Sequence, residues 1–375
     1  MTATAQDRTP IEAPADRSTA LAERLLESLI ATNELAAVWL GLELGLYAAL
    51  RDGAATPGEL AERAGIDERY AREWLEQQAV AGVLDVFAEP VAHDDPVKAG
   101  QGRMYALPAE HAVVLLDPEH PAAMAASTGF FRSLLDVLPR MPETFRTGAG
   151  VPYPEYGDAC RYGIAGFNRP MFAGDLPGWL ASAPAVAERL TRPGARVLDV
   201  GCGVGWSSIA LAKAFPGATV TGVDLDGDSI AEARGNAVDA GVPDRVTFTV
   251  ADAAQLKPEG GYDAAFAFET LHDMSHPVQA LAAIRASLAE GASLIVAEEK
   301  VAETFTAPGD LIERLNYGFS WWHCLPAARM DADSEAAGTC VRPATMLSWA
   351  RRAGFAEAEV LTVDHDFWRF YRLTG

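Results

Sequence analysis

Apolar residues recur three and four positions apart through LAERLLESLIATNELAAVWLGLELGLYAAL, Leu21 to Leu50, and helical periodicity dominates roughly the first 110 residues. In ATPGELAERAGIDERYAREWLEQQAVAGVLDV, Thr56-Pro57 opens a short helix, Gly65 ends it, and Asp67 caps a second helix reaching about Val80. A helix, a tight turn, a second helix and a short strand make a helix-turn-helix with a wing.

Residues 118–190 read as connecting helices interrupted by MPETFRTGAGVPYPEYGD, Met141 to Asp158, whose three prolines and three glycines predict irregular chain. Its rings, Phe145, Tyr153 and Tyr156, suit either a lid over a substrate or a packed linker. From Ala195 the texture changes to short β-branched runs alternating with helical segments. The predicted strands are Val197–Val200, Thr219–Val223, Val246–Val250, Asp263–Phe268 and Ser293–Glu298, then Ala358–Val363 and Phe367–Leu373 as an antiparallel hairpin. The fold class expected is therefore α/β: a Rossmann-like, doubly wound, seven-stranded sheet with a closing antiparallel hairpin, behind a mainly helical winged-helix domain. The expected division is a disordered tail over 1–18, a winged-helix dimerisation domain over 19–117, a helical linker and lid over 118–190, and the sheet domain over 191–375.

Charge narrows the choice of partner. Across 375 residues, 52 acidic side chains oppose 30 basic ones, a net charge of -22, and the second helix of the helix-turn-helix is itself acidic, so nucleic acid is not expected to bind. The first eighteen residues lack the apolar core of a signal peptide, and no run of eighteen uninterrupted apolar residues predicts a membrane span. Cys160, Cys202, Cys324 and Cys340 are widely separated, which suits reduced thiols and a cytoplasmic location.

The candidate chemistry centres on RVLDVGCGVGWSS, Arg196 to Ser208, a strand turning sharply into a helix. Gly201, Gly203 and Gly205 let backbone approach a ligand, but Trp206 stands where a dinucleotide fold places its third glycine, which argues against a pyrophosphate. Asp224 ends the second strand, where a carboxylate accepts from both ribose hydroxyls, with Leu225 beside it to flank an adenine. Asp252 ends the third strand, where it can accept from an adenine amino group, so the set describes an adenosine site without phosphates. Either aspartate alone would also suit a helix N-cap.

With these motifs, residues 190–375 resemble a class I S-adenosylmethionine-dependent methyltransferase domain. The resemblance implies S-adenosylmethionine as cofactor, held by Asp199, Gly201, Cys202, Gly203, Asp224, Leu225, Asp252, Ala253 and Phe268. The front half is similar to the winged-helix module of small-molecule O-methyltransferases, which implies a homodimer. FNRPM, with Asn168 and Met171, resembles a segment that lies near cofactor and substrate in those enzymes. GVPY, Gly150 to Tyr153, and His323-Cys324 resemble segments of actinobacterial winged-helix methyltransferases. LAEGAS departs from the family's Pro-Gly-Gly turn and leaves the start of the fifth strand open.

Methyl transfer to a hydroxyl requires alignment and removal of a proton. FETLHDMSHP places His272 after the fourth strand, and the resemblance implies that the His272-Asp273 pair carries the base, with Glu298 orienting it; His272 could instead only shape the pocket. His272 and His276 have a zinc-pair spacing, but the HExxH acid is missing and Pro277 breaks the helix, so no metal is expected. Trp321, Trp322 and His323, with Tyr153 and Tyr156, are candidate acceptor contacts or core. The expected function is methylation of a small aromatic or polyketide-like acceptor, at oxygen. A ligand-sensing winged-helix regulator and a non-methylating enzyme of the same fold are the alternatives.

Overall fold

A computed structural model describes residues 14–87, 102–257 and 261–375, which form two compact units meeting in sequence at Leu116 and Asp117. The first contains α1 (Pro14–Glu43), α2 (Leu46–Leu50), α3 (Pro57–Ala64), α4 (Glu68–Val80), the antiparallel ribbon β1 (Asp85–Phe87) and β2 (Met104–Ala106), and α5 (Ala109–Leu116). Of the expected tail, residues 1–13 lie outside the described residues, and the chain is already helical from Pro14. Thr56 and Glu59 cap α3 reciprocally with Pro57 in the first turn, and Gly65, at φ 68°, ends it. Asp67 then accepts from the amides of Arg69 and Tyr70 to start α4. Leu46, Tyr47, Leu50, Leu60, Trp74 and Leu75 form this unit's core. Leu21, Leu25, Leu26 and Leu29 on α1 are all exposed. By length and composition, α1 is the described helix apolar enough to cross a membrane, and 6% of that window is buried.

The second unit opens with α6 (Ala125–Val137), α7 (Met141–Thr147), α8 (Gly157–Leu180) and α9 (Pro184–Leu190). There follow β3 (Arg196–Val200), α10 (Trp206–Ala214), β4 (Thr219–Asp224), α11 (Gly227–Asp239), β5 (Val246–Val250), β6 (Tyr262–Phe268), α12 (Pro277–Ser287) and β7 (Leu288–Glu299). The chain ends with α13 (Leu311–Ser320), α14 (Cys324–Ala328), α15 (Pro343–Arg352), β8 (Glu357–Val360) and β9 (Trp368–Thr374). The sheet runs β5-β4-β3-β6-β7-β9-β8, with β9 antiparallel to both its neighbours. Alternation along each strand feeds two cores. Val197, Phe266, Ile295 and Phe370 pack on the face covered by α8 to α11, while Leu198, Ala265, Leu294 and Tyr371 pack on the face covered by α12 and α15.

Three details differ from the sequence reading. The stretch from Met141 to Asp158 is only partly irregular, because Pro142 sits in the first turn of α7, where its missing N–H costs nothing, and Gly148, at φ 72°, ends that helix. The closing strands are joined by residues 361–367 rather than by DHD alone. His365 Nδ1 accepts from the amides of Phe367 and Trp368 and its ring stacks on Trp368, which folds the connection inward. β7 begins at Leu288, ahead of the expected Ser293, with an irregular register against Tyr262 and Ala264.

From β3 the chain adds β4 and β5 on one side, then crosses back to lay β6 on the other. The loops leaving β3 and β6 therefore diverge, and a crevice opens at the carboxyl ends of the strands. α8 roofs this region because it packs tightly on α6 through glycines. A Cβ at Gly163 would lie 2.4 Å from Phe130 Cβ, and one at Gly166 would lie 2.4 Å from Ala126 Cβ. Gly163→Ala is expected to wedge the helices apart and cost about 1–3 kcal/mol in urea unfolding. Gly174→Ala, where a Cβ meets nothing within 4 Å, is expected to stabilise by about 0.4–1 kcal/mol. Equal effects of the two substitutions would refute the packing argument.

Candidate active site

The crevice holds a cavity of about 660 Å3. Its walls are the glycine turn, the segments after β4, β5 and β6, and one face of α8 carrying Arg161, Ile164, Ala165, Asn168 and Phe172. Gly201, at φ 69°, and Gly203, at φ 50°, hold backbone that side chains disfavour, and a Cβ at Gly203 would point into open space.

Asp224 is half-buried beside this turn. Its Oδ2 accepts from the Gly203 amide at 2.8 Å and its Oδ1 from the Asp226 amide at 2.9 Å, leaving further lone pairs toward the cavity. Burial pushes its carboxyl up, and those two amides offset part of the rise. Leu225 lines the cavity with 72% of its surface exposed, an apolar platform for a flat ring. Asp252 also lines it while accepting from the Ala254 amide and from Gln255 Nε2, so it is both an N-cap and a wall residue. Cys202, Ala253 and Phe268 complete this half. Asp199 lies behind the wall instead: its Oδ2 accepts from Ser207 and Ser208, tying β3 to α10, and burial pushes its carboxyl up to about 6.

On the opposite side, the turn after β6 begins with Glu269 at φ 48°, whose carboxylate accepts from Asn168 Nδ2. His272 is buried, with Nδ1 2.5 Å from Glu298 Oε2 and 3.3 Å from Glu299 Oε2. Glu298 also accepts from the Leu271 amide, which fixes the turn to the end of β7. His272 does not line the cavity; Asp273 does, and its Oδ1 lies 3.4 Å from His272 Nε2. Burial pushes the imidazole down, but Glu299, Asp273 and Glu298 push it up harder, leaving it well above the ordinary histidine range. His272, Glu298 and Glu299 also offer ligand atoms within 4.8 Å of one another, a spread that could hold a metal ion.

Of the aromatic candidates, Tyr153 reaches the cavity. Tyr156 is buried and donates to the Trp322 carbonyl, Trp321 and Trp322 stack at 4.7 Å, and Met171 packs partly buried against the sheet. His323 Nε2 lies 3.4 Å from Cys160 Sγ and its Nδ1 3.4 Å from Cys324 Sγ. Tyr156, with the partly buried Trp321 and Trp322, packs in a cluster with Leu134, Val137 and Phe319 of α6 and α13, and neither these rings nor His323 line the cavity. The sequence reading passed over Arg161, Ile164, Glu269, Met274 and Met330, all on the wall. The three- and four-residue spacing of the α8 set was available as a signal; Glu269 left none.

A family profile described as a methyltransferase domain matches residues 197–291, and one described as an Rv2258c-like winged HTH domain matches residues 36–116. A ubiquinone biosynthesis O-methyltransferase of Xanthomonas axonopodis pv. citri is 30% identical over 190 residues, covering 49% of this chain and 72% of that protein. The chain spans 30–58% of the length of three other curated relatives it matches. Among solved structures, human N-acetylserotonin methyltransferase in complex with SAM superposes with a TM-score of 0.70 at 16% identity, covering 94% of this chain and 98% of that one. The mitomycin 7-O-methyltransferase gives 0.64 at 21% identity, covering 96% and 100%. The chain belongs to the class I S-adenosylmethionine-dependent methyltransferases, with a winged-helix domain at the front.

S-adenosylmethionine is the methyl donor of that family, and the residues present fit it: the turn at Gly203 is open where a side chain would intrude, and the half-buried Asp224 carboxylate keeps acceptor capacity toward the cavity. Asp224→Ala is expected to weaken S-adenosylhomocysteine by at least about tenfold in calorimetry, the loss of charge-assisted bonds worth roughly 1.5–3 kcal/mol each. Unchanged affinity would mean that the nucleoside lies elsewhere.

Proposed function

We propose that the protein transfers a methyl group from S-adenosylmethionine to a hydroxyl oxygen of a small aromatic or polyketide-like acceptor. The observation that carries this reading is that one cavity is lined both by a nucleoside-type wall, Asp224 with Leu225 and Gly203, and by Asp273, whose Oδ1 lies 3.4 Å from Nε2 of the buried His272, itself paired with Glu298 behind the wall. When bound, S-adenosylmethionine supplies an electrophilic methyl on a sulfonium. Asp224 accepts from the ribose hydroxyls, Asp252 from the adenine amino group, and Leu225 covers the base. Tyr153, Ile164, Phe172, Met274 and Met330 supply apolar wall for a flat acceptor and exclude water from it.

In this mechanism Glu298 holds the Nδ1–H of His272, which leaves Nε2 to take the acceptor's proton by way of the Asp273 carboxylate, the member of this group that lines the cavity. An imidazole held above its ordinary range offers its basic form only as pH rises, so kcat/KM is expected to climb through and beyond neutral pH. Release of tritiated methyl onto a panel of phenols and polyketides tests the activity. With an acceptor in hand, His272→Ala is expected to lose roughly 10²–10⁴-fold in turnover while keeping cofactor affinity. Glu298→Gln removes one carboxylate charge, so its alkaline limb is expected at lower pH than the wild type's. A His272→Ala enzyme within about threefold of wild type would remove the imidazole from the chemistry.

The same reading includes a homodimer formed through the first unit. The exposed stripe of Leu21, Leu25, Leu26 and Leu29 and the apolar groove of Leu40, Leu44, Tyr70 and Trp74 support it. Light scattering is expected to give twice the chain mass for the wild type and a monomer for Leu25→Glu with Leu29→Glu. A monomeric wild type would end the proposal.

A further inference from the structure

The acids around the cavity follow the order of the strands. Asp252 follows β5, Asp224 ends β4, the glycine turn follows β3, and Glu269 follows β6, and these four strands are neighbours in the sheet. Neighbouring strands lie about 4.8 Å apart, so an extended molecule with its base over β5 and its ribose on Asp224 crosses β3 and ends over β6. There it meets Glu269.

Glu269 is built for a ligand more than for packing. It adopts a left-handed backbone, φ 48°, that a non-glycine residue holds only where its surroundings compel it. Its carboxylate lines the cavity, and among the described residues no lysine or arginine forms an ion pair with it. Asn168, itself 6% exposed, donates through Nδ2 to that carboxylate, while its Oδ1 is buried without a hydrogen-bond partner. The site therefore offers the cavity a carboxylate with no cationic partner among the described residues, held by the Asn168 amide, which suits a ligand group that brings positive charge and N–H donors.

Resting on the methyltransferase reading, we propose that Glu269, held by Asn168, binds the α-ammonium of the donor's methionine. It is a positioning residue: with Asp224 at the ribose, it would hold the two ends of the donor.

Two ligands separate this proposal from the reading beneath it. S-adenosylhomocysteine carries the ammonium, whereas 5′-methylthioadenosine keeps the adenosine and the thioether but has no amino acid. In calorimetry, Glu269→Gln, which keeps an oxygen for Asn168, is expected to weaken S-adenosylhomocysteine by about tenfold or more and to leave 5′-methylthioadenosine within about twofold. Should that variant fail to give a wild-type thermal unfolding transition, Asn168→Ala is expected to give the same split, at about threefold or more for S-adenosylhomocysteine. Retained S-adenosylhomocysteine affinity in a folded variant, or equal weakening of both ligands, overturns the proposal. A wild-type protein that binds neither ligand overturns the methyltransferase reading itself.

Discussion

The crevice depends on a methyl group that is not there. At Gly201 a Cβ would lie 2.0 Å from Thr270 Oγ1, so the loop leaving β6 can rest on the loop leaving β3 only because that position is glycine. Through this contact the nucleoside-type wall and the imidazole turn share one cavity. Any side chain at 201 would have to separate them, and its backbone at φ 69° would be strained as well. The register of β3 against β6, Val200 beside Ala267, then sets how far apart Gly203 and Asp273 are presented.

The turn after β6 carries an unusual electrostatic load. Glu269, Asp273, Glu298 and Glu299 gather around one imidazole, and burial, with the neighbouring carboxylates adding to it, drives Glu269 and Glu299 up from their ordinary range. Isolated buried charge is costly, so carboxylates in such surroundings need partners. The short contact between His272 and Glu298 relieves part of that load, and the Leu271 amide on Glu298 relieves more. What is left faces the cavity, at Glu269 and Asp273, where a ligand can answer it.

Much of the fold was legible because its signals are local. Thr56, Pro57, Gly65 and Asp67 mark helix ends through bonds made within a few residues, and short β-branched, apolar runs between helical segments mark β3 to β7. Asp224 and Leu225 were legible because strand ends beside a glycine turn face a crevice in any doubly wound sheet. The rings of Trp321, Trp322 and His323 could not be sorted into core or pocket, since an aromatic side chain looks the same in either, and only the packing of α6, α8 and α13 decides. Glu269 was illegible for a different reason: its left-handed backbone is imposed by partners far away in sequence, Asn168 and the Ala297 carbonyl. β7 begins ahead of Ser293 because Gly291, at φ 69°, allows an irregular strand through LAEGAS, whose place the sequence left open.

The charge on the cavity wall bears on how a catalytic cycle ends. Asp224, Asp226, Asp252, Glu269, Asp273 and Asp331 face it, against Arg161, which already pairs with Asp158, Asp226 and Asp228. Such a wall attracts a sulfonium. Once the methyl has gone, the same molecule is a thioether with one positive charge fewer, and the field that drew the donor in holds the spent product less firmly. Exchange of product for fresh donor is thereby biased forward by electrostatics alone, with no moving part required.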